Sequence, residues 1–485
     1  MKILFTRFPL ESCADGGAER QVVTLMEGLI ARNNAVAFAG SCKALLTLCR
    51  ARHIPSTELV IGPPPVSKWH AVSFAWRRRG MQRKLQTLLN GFHDLDAIVM
   101  LSFSEKLLLT PLVTEVQHSR TPKILWIEHD PVGRWLTTNP WLPHLKKASQ
   151  YATIVTVSEM SKQLYINMGF DPNRVVAIPN GIDLKRFEPP PPSPTLPPEG
   201  EGSMVNRSVF PSPPGERARG GGGEEGEGLG EGGRVEHTDK ALHIGSVARL
   251  DREKGLDLLI EAVKELTNVS LTIVGQGKEE RKLKNIIAEL GGYPRATGGE
   301  GESPVPHSGT MPTSQPRNLA GADEEARGWA EGLWRAVRFL LLLFFVGQTK
   351  KSRTDDTAHI RLLPRVYDLG AFYRSLDLFV LPSRTNDPFG LVAAEAMSLG
   401  VPVVVTDACG IASYVKDGEN AVIVKADDAM ELREGIESLR NPQKRRQIGA
   451  KGKTVAANEF SVHRMVERYE ALLEKSENDG DTIIA

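Results

Sequence analysis

Short apolar runs alternate with amphipathic segments along most of this chain. The first run, Ile3–Thr6, has the length of a strand, and a glycine turn and a helix pattern follow it. The apolar side of that helix consists of Val22, Val23, Leu25, Met26 and Leu29. Further runs at residues 97–101, 124–127 and 153–157 are apolar throughout, as in strands buried on both faces of a parallel sheet. This part of the chain therefore predicts a parallel sheet covered by helices.

The second part of the chain repeats the alternation of strand and helix patterns. Strands are predicted at Ala241–Val247, Val269–Val274, Leu378–Leu381 and Val401–Thr406. Helices are predicted at Gly255–Leu266, Ala371–Leu376 and Leu391–Leu399. Two such sets indicate an α/β protein with two Rossmann-like, doubly wound domains. In these folds ligands bind beyond the carboxyl ends of the strands, so the loops there are the place to look for function.

Two tracts interrupt this pattern. Residues 189–233 contain ten Pro and twelve Gly, and such a tract cannot bury enough apolar surface to offset the entropy of chain ordering. We therefore predict two disordered, low-complexity insertions, at about residues 189–240 and 291–358. Without them roughly 365 of the 485 residues remain, which changes the domain count expected from length from three to two.

Composition sets limits on the function. The 60 Lys+Arg and 59 Asp+Glu residues give a net charge of +1, which argues against a nucleic-acid-binding protein as a whole. No cysteine or histidine cluster has metal-ligand spacing, so no metal site is predicted. The start of the chain is too short an apolar run for a signal peptide, and the apolar run at 339–346 is too short to span ~30 Å of hydrocarbon. We expect a cytoplasmic protein.

The densest candidate site is the segment 383–397. Gly390 stands between a loop and a predicted helix, where its small size lets a phosphate approach the free backbone N–H groups of the helix start. Asp387 and Glu395 lie eight positions apart on either side of this turn, a spacing that lets both face one ligand. The alternative is an aspartate that caps the helix and a glutamate that pairs with a surface cation.

Two further segments are candidates for binding a phosphorylated ligand. Arg249 and Lys254 lie at the end of a predicted strand and the start of a helix, where two cations can hold a diphosphate without a metal. Solvated charges at a helix start are the alternative. Gly16 and Gly17 form a turn that allows close approach to the first helix, with a plain tight turn as the alternative.

Taken together, the three segments resemble those of the retaining glycosyltransferases of family 4. That family has the GT-B fold, in which two Rossmann-like domains face a cleft. The segment from Asp387 to Glu395 is similar to the Glu-x7-Glu motif of that family. Arg249 and Lys254 match its pair of donor-diphosphate cations, and the glycine turn matches its N-terminal glycine loop. The resemblance covers most of residues 1–188, 241–290 and 359–475.

The resemblance implies a domain division and a role for each candidate residue. It implies an acceptor domain at 1–180, a nucleotide-sugar donor domain at 181–460, and a segment at 461–485 whose helix returns to the first domain. Glu395 would hold the ribose hydroxyls and Asp387 the transferred sugar. The phosphates would bind the backbone N–H groups of Gly390, Leu391 and Val392.

Three more roles follow from the same resemblance. Arg249 and Lys254 would stabilise the negative charge that develops on the departing nucleoside diphosphate. Gly16 and Gly17 would lie against the donor. His129 matches a family position near the donor sugar, although a histidine after a strand is as often structural.

Two positions depart from the family pattern. Asp387 is one methylene shorter than the usual glutamate, which puts the contact with the sugar in doubt. Cys409-Gly410 replaces a Gly-Gly segment and looks like the form in some lipopolysaccharide core glycosyltransferases. This second departure favours an acceptor of the cell envelope.

A basic stretch in the first domain suggests a membrane partner. Between Leu59 and His93 the chain has no acidic residue, and Trp69, Phe74 and Trp76 are interleaved with cations. The cations are Lys68, Arg77, Arg78, Arg79, Arg83 and Lys84. The stretch is typical of a peripheral surface that binds anionic lipid at the inner face of a membrane. A solvated basic helix is the alternative, and a nucleic-acid face lacks a fold motif.

These observations favour a metal-independent, retaining hexosyltransferase. It would move a sugar from a nucleotide diphosphate sugar, which is a substrate, to a glycan or lipid-linked acceptor of the cell envelope, and no cofactor is predicted. A nucleotide-sugar epimerase shares this architecture and is the alternative among enzymes. A non-catalytic protein that binds nucleotide sugars is the alternative from another class.

Overall fold

The computed structural model of the protein describes residues 1–9, 16–92, 94–115, 121–129, 134–187, 241–290 and 359–475. Both low-complexity tracts predicted to be insertions lie outside the described residues. The described chain enters the first tract from a 3₁₀ turn at Leu184–Phe187 and resumes in a strand at Leu242. It enters the second tract after a helix that ends at Glu289 and resumes in a strand at His359.

The first sheet has seven parallel strands in the order β3-β2-β1-β4-β5-β6-β7. Its strands are β1 (Lys2–Arg7), β2 (Ala35–Gly40), β3 (Ser56–Glu58), β4 (Ala97–Met100), β5 (Lys123–Glu128), β6 (Thr153–Thr156) and β7 (Val175–Ala177). The helices on its faces are α1 (Gly17–Ala31), α2 (Lys43–Ala51), α3 (Lys68–Asn90), α4 (Phe103–Glu115), α5 (Arg134–Thr137), α6 (Leu142–Ser149) and α7 (Glu159–Asn167). The order reverses between β1 and β4, and this switch point is where a doubly wound sheet opens a crevice.

The second sheet has six parallel strands in the order β10-β9-β8-β11-β12-β13. Its strands are β8 (Leu242–Val247), β9 (Val269–Val274), β10 (His359–Leu363), β11 (Leu378–Leu381), β12 (Val403–Thr406) and β13 (Val422–Val424). The helices that follow the first sheet are α8 (Leu256–Lys264), α9 (Glu280–Glu289), α10 (Leu369–Arg374), α11 (Leu391–Ser398), α12 (Ala429–Glu437), α13 (Pro442–Glu459) and α14 (Val462–Glu474). The prediction of two doubly wound α/β domains is therefore confirmed.

Each sheet is buried on both faces, as its apolar strands predict. Strands β4, β11 and β12 are buried at every position. Apolar side chains of the helices cover these faces in four clusters, two for each sheet. Burial on both faces explains why the strands read as continuous apolar runs rather than alternating ones.

Several element boundaries differ from the sequence prediction for identifiable reasons. The predicted helix at 255–266 begins at Leu256, because Gly255 is in the left-handed conformation (φ +64°) and caps the helix. A 3₁₀ turn at Arg252–Lys254 comes before it. The predicted strand at 401–406 begins at Val403, just after a proline that has no N–H to donate to the sheet.

The chain crosses between the two sheets at two adjacent places. Ile182, after β7, donates its backbone N–H to the carbonyl of Phe460 over 2.6 Å and pairs with Ser461 as an isolated bridge. Beyond Ser461, α14 lies against the first sheet, where Met465 and Tyr469 belong to the same apolar cluster as the residues of α1. The last helix of the described chain thus completes the core of the first domain.

Candidate functional site

Asp387 lies in the loop after β11, where the backbone holds it on both sides. Its N–H donates to the carbonyl of Ala408 over 2.9 Å, and its own carbonyl accepts from the N–H of Gly410 over 2.8 Å. The carboxylate is buried, and its Oδ2 accepts from Lys254 Nζ over 2.6 Å and from Ser383 Oγ over 3.1 Å. This acid is therefore fixed by two donors that lie in loops at the carboxyl edge of the second sheet.

The turn before α8 brings Lys254 to this acid. A Cβ atom at Gly255 would lie 2.0 Å from the carbonyl oxygen of Pro382, so only glycine allows the turn to approach the loop after β11 so closely. The N–H of Arg384 donates to the carbonyl of Glu253 over 2.8 Å and ties the two segments together. The glycine that ends the Arg249–Lys254 segment thus has a structural role in placing the lysine.

Arg249 has a more open position than Lys254. Its side chain is 74% exposed, and its Nη1 lies 3.4 Å from Asp251 Oδ2 within the same loop. In the structure Lys254 pairs with Asp387. Arg249, five positions earlier in the sequence, is exposed at the rim of the loop. A shared diphosphate site for both cations stays a prediction.

Gly390 begins α11 in a conformation that a larger residue would not tolerate. Its φ is +91°, and a Cβ atom there would lie 3.0 Å from Leu381 Cδ2 and 3.2 Å from Ile411 Cγ2. Leu391 and Val392 are the first two residues of the helix, whose backbone N–H groups have no partner within the helix. This helix start has the geometry that suits a phosphate, as the sequence predicts.

Glu395 lies on the second turn of α11 and is buried. Its Oε2 accepts from the hydroxyl of Tyr373 over 2.8 Å, and its Oε1 lies 3.7 Å from Arg186 Nη1. Burial raises the pKa of Glu395 above its ordinary value, while the Tyr373 hydrogen bond and then the charges of Arg186 and Arg20 oppose that rise. The alternative, a helical glutamate paired with a surface cation, is met in part, because the partly exposed Arg186 lies within ion-pair distance of a carboxylate that is itself buried.

The N-terminal glycine turn lies against the same helix start. A Cβ atom at Gly17 would be 3.7 Å from Leu391 Cδ2, which is ordinary contact distance across the two domains. Gly16 is the N-cap of α1 and accepts from the N–H of Arg20. The structure therefore brings the Gly16–Gly17 turn and the segment 383–397 together.

Sequence reasoning gave no role to four residues of this site. Ser383 and Tyr373 hold the two acids, Arg186 comes from the linker between the domains, and Arg20 adds charge from α1. Arg20, Tyr373 and Ser383 stand inside segments that resemble the family, which was the available signal. The interactions of Tyr373, Arg186 and Arg20 with Glu395 could not be read from the sequence, because they join positions far apart in the chain.

His129 follows β5 at the carboxyl edge of the first sheet and is partly buried. Burial, and then the charges of Arg7 and Lys106, lower its pKa from 6.5 to about 3. Both cations are paired with acids, Arg7 with Glu19 over 2.9 Å and Lys106 with Glu128 over 2.7 Å. The imidazole is therefore neutral at physiological pH, and its predicted place near the donor sugar stays a prediction.

Helix α3 carries the predicted basic stretch and has a sharply divided surface. Its inner face consists of Ala71, Phe74, Met81, Leu85 and Leu89. On the opposite face Trp69 is 85% exposed and Trp76 is 77% exposed, with Val72 between them. Two of the six predicted cations are engaged within the protein: Arg77 donates to the carbonyls of Pro63 and His70, and Lys84 donates to that of Val60.

Each domain matches a family model of its own. The model described as Glycosyltransferase Family 4 matches residues 15–186, and the model described as Glycosyl transferases group 1 matches residues 234–295 and 346–455. The two sheets, their order and these matches define the GT-B architecture. The chain belongs to the family 4 glycosyltransferases.

Curated relatives are similar over parts of their length. A D-inositol 3-phosphate glycosyltransferase of Geodermatophilus obscurus is 24% identical over 65% of this chain, which spans 50% of that relative. A phosphatidyl-myo-inositol mannosyltransferase of Mycobacterium leprae is 36% identical over 25% of this chain and 34% of its own length. The chain thus spans half or less of the length of these relatives.

Solved structures share the fold over nearly the whole chain. The protein HepE of Anabaena, crystallised in complex with UDP, superposes with a TM-score of 0.63 at 17% identity and covers 98% of this chain and 99% of its own. The apo form of the lipopolysaccharide outer core galactosyltransferase WaaB superposes with a TM-score of 0.60 at 13% identity, covering 98% of this chain and 100% of its own. At these identities the likeness establishes the fold. In the described part of the chain, no helix is both long enough and apolar enough to cross a bilayer.

Proposed function

We propose that this protein is a retaining, metal-independent hexosyltransferase that uses a nucleotide diphosphate sugar. The acceptor is a glycan or a lipid-linked molecule of the cell envelope. The observation that carries the proposal is the convergence of three features on one helix start: the Lys254–Asp387 pair, the left-handed Gly390 and the buried Glu395. UDP in the HepE crystal and the inositol-lipid and lipopolysaccharide relatives support the choice of donor and acceptor.

The spacing of the helix start and Glu395 fits the separation between a diphosphate and the ribose that carries it. Glu395 comes four residues after Leu391, so it lies about 6 Å further along α11 than the helix start. A diphosphate at the N–H groups of Leu391 and Val392 therefore leaves its ribose alongside Glu395. Asp387, in the loop before the helix, is then on the side of the diphosphate where the sugar is attached.

Lys254 and Arg249, in the segment before α8, stabilise the nucleoside diphosphate as it leaves the sugar. As the bond between the sugar and the diphosphate breaks, negative charge grows on the phosphate oxygens, and a fixed cation stabilises that charge without rearranging. The ion pair with Asp387 keeps Lys254 in place before the donor binds. Arg249, which is largely exposed, then closes on the diphosphate from the rim.

A screen of ligands and two variants test the donor site. Thermal unfolding is measured with UDP, GDP and ADP and with UDP-glucose and GDP-mannose, and at least one nucleotide is expected to raise the midpoint. With the donor so identified, Lys254→Ala and Arg249→Ala should each slow release of the nucleoside diphosphate by about 10²–10³-fold. Lys264→Ala, on the outer surface of α8, is the matched control and should leave the rate unchanged.

The outcomes separate the competing functions. An unaltered rate in Arg249→Ala or Lys254→Ala contradicts the assigned chemistry, and no midpoint shift with any nucleotide contradicts the donor site itself. Turnover of the donor sugar without an acceptor indicates an epimerase instead. Loss of activity in EDTA would contradict metal independence, and NMR of the product tests whether the anomeric configuration is retained.

We also propose that the outer face of α3 docks on an anionic membrane and brings the protein to a lipid-linked acceptor. Trp69, Val72 and Trp76 lie one helical turn apart on that face, and Arg79 and Arg83 continue it by the same spacing. Aromatic side chains followed by arginines suit the boundary between acyl chains and anionic head groups. Arg77 and Lys84, which bind carbonyl oxygens of the protein, take no part in this surface.

Sedimentation with liposomes tests this surface. The protein should bind vesicles that contain phosphatidylglycerol and should be released by salt, whereas vesicles of phosphatidylcholine alone should retain little of it. Arg79→Gln with Arg83→Gln should reduce binding by about 30-fold, since each charge contributes about 1 kcal/mol. Lys451→Gln with Lys453→Gln, a pair on α13 in the other domain, is the matched control. Equal binding to both vesicle types would contradict the proposal.

A further inference from the structure

The two oxygens of the Glu395 carboxylate have different neighbours. Tyr373, on α10, is fully buried, and its hydroxyl donates to Oε2 over 2.8 Å. Oε1 lies 3.7 Å from Nη1 of Arg186, a side chain that is 43% exposed. One oxygen is therefore fixed inside the domain, and the other lies on the side of a partly exposed residue.

Aromatic packing holds Tyr373 in place. Its ring meets that of Phe379 edge-on at a centroid distance of 5.6 Å and that of Phe187 edge-on at 6.1 Å. A third ring, Phe372, lies at 6.1 Å. Such a packed ring leaves its hydroxyl no other position, so the hydrogen bond to Glu395 is preorganised.

We infer that Tyr373 is a positioning residue that reserves one oxygen of Glu395 for the nucleotide ribose and so sets the preference for ribonucleotides over deoxyribonucleotides. The inference rests on the proposed function, in which Glu395 accepts from the ribose hydroxyls. With Oε2 occupied by Tyr373, the lone pairs of Oε1 accept from the 2′- and 3′-hydroxyls. Because the carboxylate is already fixed, little rotational freedom is lost when the ribose binds.

Tyr373→Phe tests the inference, because it removes one hydroxyl and keeps the ring. Dissociation constants are measured by calorimetry for UDP, GDP and ADP and for the 2′-deoxy and 3′-deoxy form of each. The variant should bind the ribonucleotide about tenfold more weakly, as expected when one charge-assisted hydrogen bond is lost. Binding of the deoxy forms should change much less, so the ratio of the two affinities falls. A purely structural tyrosine would weaken all forms by the same factor, and an unchanged ratio would overturn the inference.

A second variant shows whether Tyr373 acts through Glu395. Glu395→Gln should lower the ratio on its own, and adding Tyr373→Phe to it should lower the ratio no further. A further fall in the double variant would count against the inference. Tyr151→Phe, at an exposed tyrosine in the other domain, is the matched control and should leave the ratio unchanged.

The failure of the proposed function is distinguishable from the failure of this inference. If the wild-type protein binds none of the nucleoside diphosphates, both are wrong. If it binds them but does not distinguish ribose from deoxyribose, the nucleotide site stands and the ribose contact of Glu395 is wrong together with the role of Tyr373. If it distinguishes them and Tyr373→Phe keeps the preference, only the role of Tyr373 is overturned.

Discussion

At the scale of single residues, burial shifts the pKa values of several ionisable groups of this protein. Glu395, His129 and Glu105 are acids or bases taken partly or wholly out of water, and in each the pKa moves against the charged form. Lys254 and Asp387 are also largely removed from water, and each stabilises the charge of the other by pairing over 2.6 Å. Removing one member of such a pair leaves the other charge without its partner, which costs more than the pair itself contributes.

Glu105, in the first turn of α4, makes the stability of the protein depend on pH. It is fully buried, its Oε1 accepts from the N–H groups of Leu101 and Ser102, and its Oε2 has no hydrogen-bond partner among the described residues. Desolvation raises its pKa from 4.5 to about 7, although the backbone hydrogen bonds and the charge of Lys106 oppose the rise. The folded protein therefore keeps this proton between about pH 4.5 and 7, whereas the unfolded chain releases it.

We predict that Glu105→Gln removes a contribution that lowers the stability of the wild-type protein as pH rises. Because the unfolded chain releases this proton at a lower pH than the folded protein, the contribution of Glu105 falls between pH 4.5 and 7 and is level above it, whereas His129, whose pKa is lowered from 6.5 to about 3, contributes an opposite rise. From pH 5 to 7.5 the free energy of unfolding in urea should therefore shift towards higher stability by about 2 kcal/mol more in the variant than in the wild type. Glu289→Gln, at an exposed acid of α9, serves as the control. Parallel pH dependence in wild type and Glu105→Gln would contradict the prediction.

At the scale of elements, glycines fix the distances between the loops of the site. Gly255 and Gly390 let their turns approach neighbouring backbone and side chains, and Gly410 lets the segment after β12 lie against the loop of Asp387. A Cβ atom at Gly410 would be 2.1 Å from the carbonyl oxygen of Pro388 and 2.6 Å from Ser158 Oγ. This contact involves both domains, because Ser158 caps α7 of the first domain.

Gly410→Ala should therefore disturb the site as well as the fold. The added methyl group has no space, so the Pro388 loop or α7 must move, and we expect a loss of about 1–3 kcal/mol in stability. The midpoint shift produced by the bound nucleotide should shrink too, since Asp387 is held by the same loop. Gly80→Ala is the control: its Cβ atom meets nothing within 4 Å, and alanine should stabilise α3 by about 0.5–1 kcal/mol. If Gly410→Ala is as stable as the wild type, the loop accommodates the methyl group without loss of stability and the prediction is wrong.

The sequence predicted elements better than it predicted contacts. Alternation of apolar runs and helix patterns was enough to place β8, β9, β11 and α11, because each pattern is local. The pairing of Tyr373 with Glu395, 22 positions away, depends on how the fold brings the end of α10 to the second turn of α11, and no local pattern encodes it. The left-handed turn at Gly255 was missed for a related reason, since the close approach of Pro382 that requires it is a tertiary contact.

At the scale of the whole molecule, the chain binds its two domains together with its own last helix. Gln21 of α1 donates to the carbonyl of Gly181 over 2.8 Å and accepts from its N–H over 3.1 Å, at the first crossing between the domains. Gly181 in turn lies so close to α14 that a Cβ atom there would be 2.8 Å from Val462 Cα. Both crossings and the last helix therefore form one packed unit that joins the two domains.

The dependence of the first domain on α14 gives a prediction about truncation. The helix contributes Met465, Val466, Tyr469 and Leu473 to the apolar cluster of the first sheet. Lys123 of β5 donates to the carbonyls of Leu472 and Leu473 at its end. A chain that ends at Ser461 would expose this cluster to water, and loss of one such buried aromatic residue alone costs about 3–5 kcal/mol.

We expect the truncated chain to lose protection in the first domain, although the deleted residues follow the second domain in sequence. Hydrogen exchange should accelerate in β1, α1 and β5 by several orders of magnitude, while β8 and β11 keep most of their protection. A chain that ends at Lys475 keeps every described contact of α14 and is the control, with exchange like that of the full chain. Tyr469→Ala, which keeps the helix but removes its largest buried side chain, should shift exchange in the same strands by a smaller amount. Faster exchange confined to β8 and β11 in the truncated chain would mean that α14 supports the domain that precedes it in sequence rather than the one it contacts.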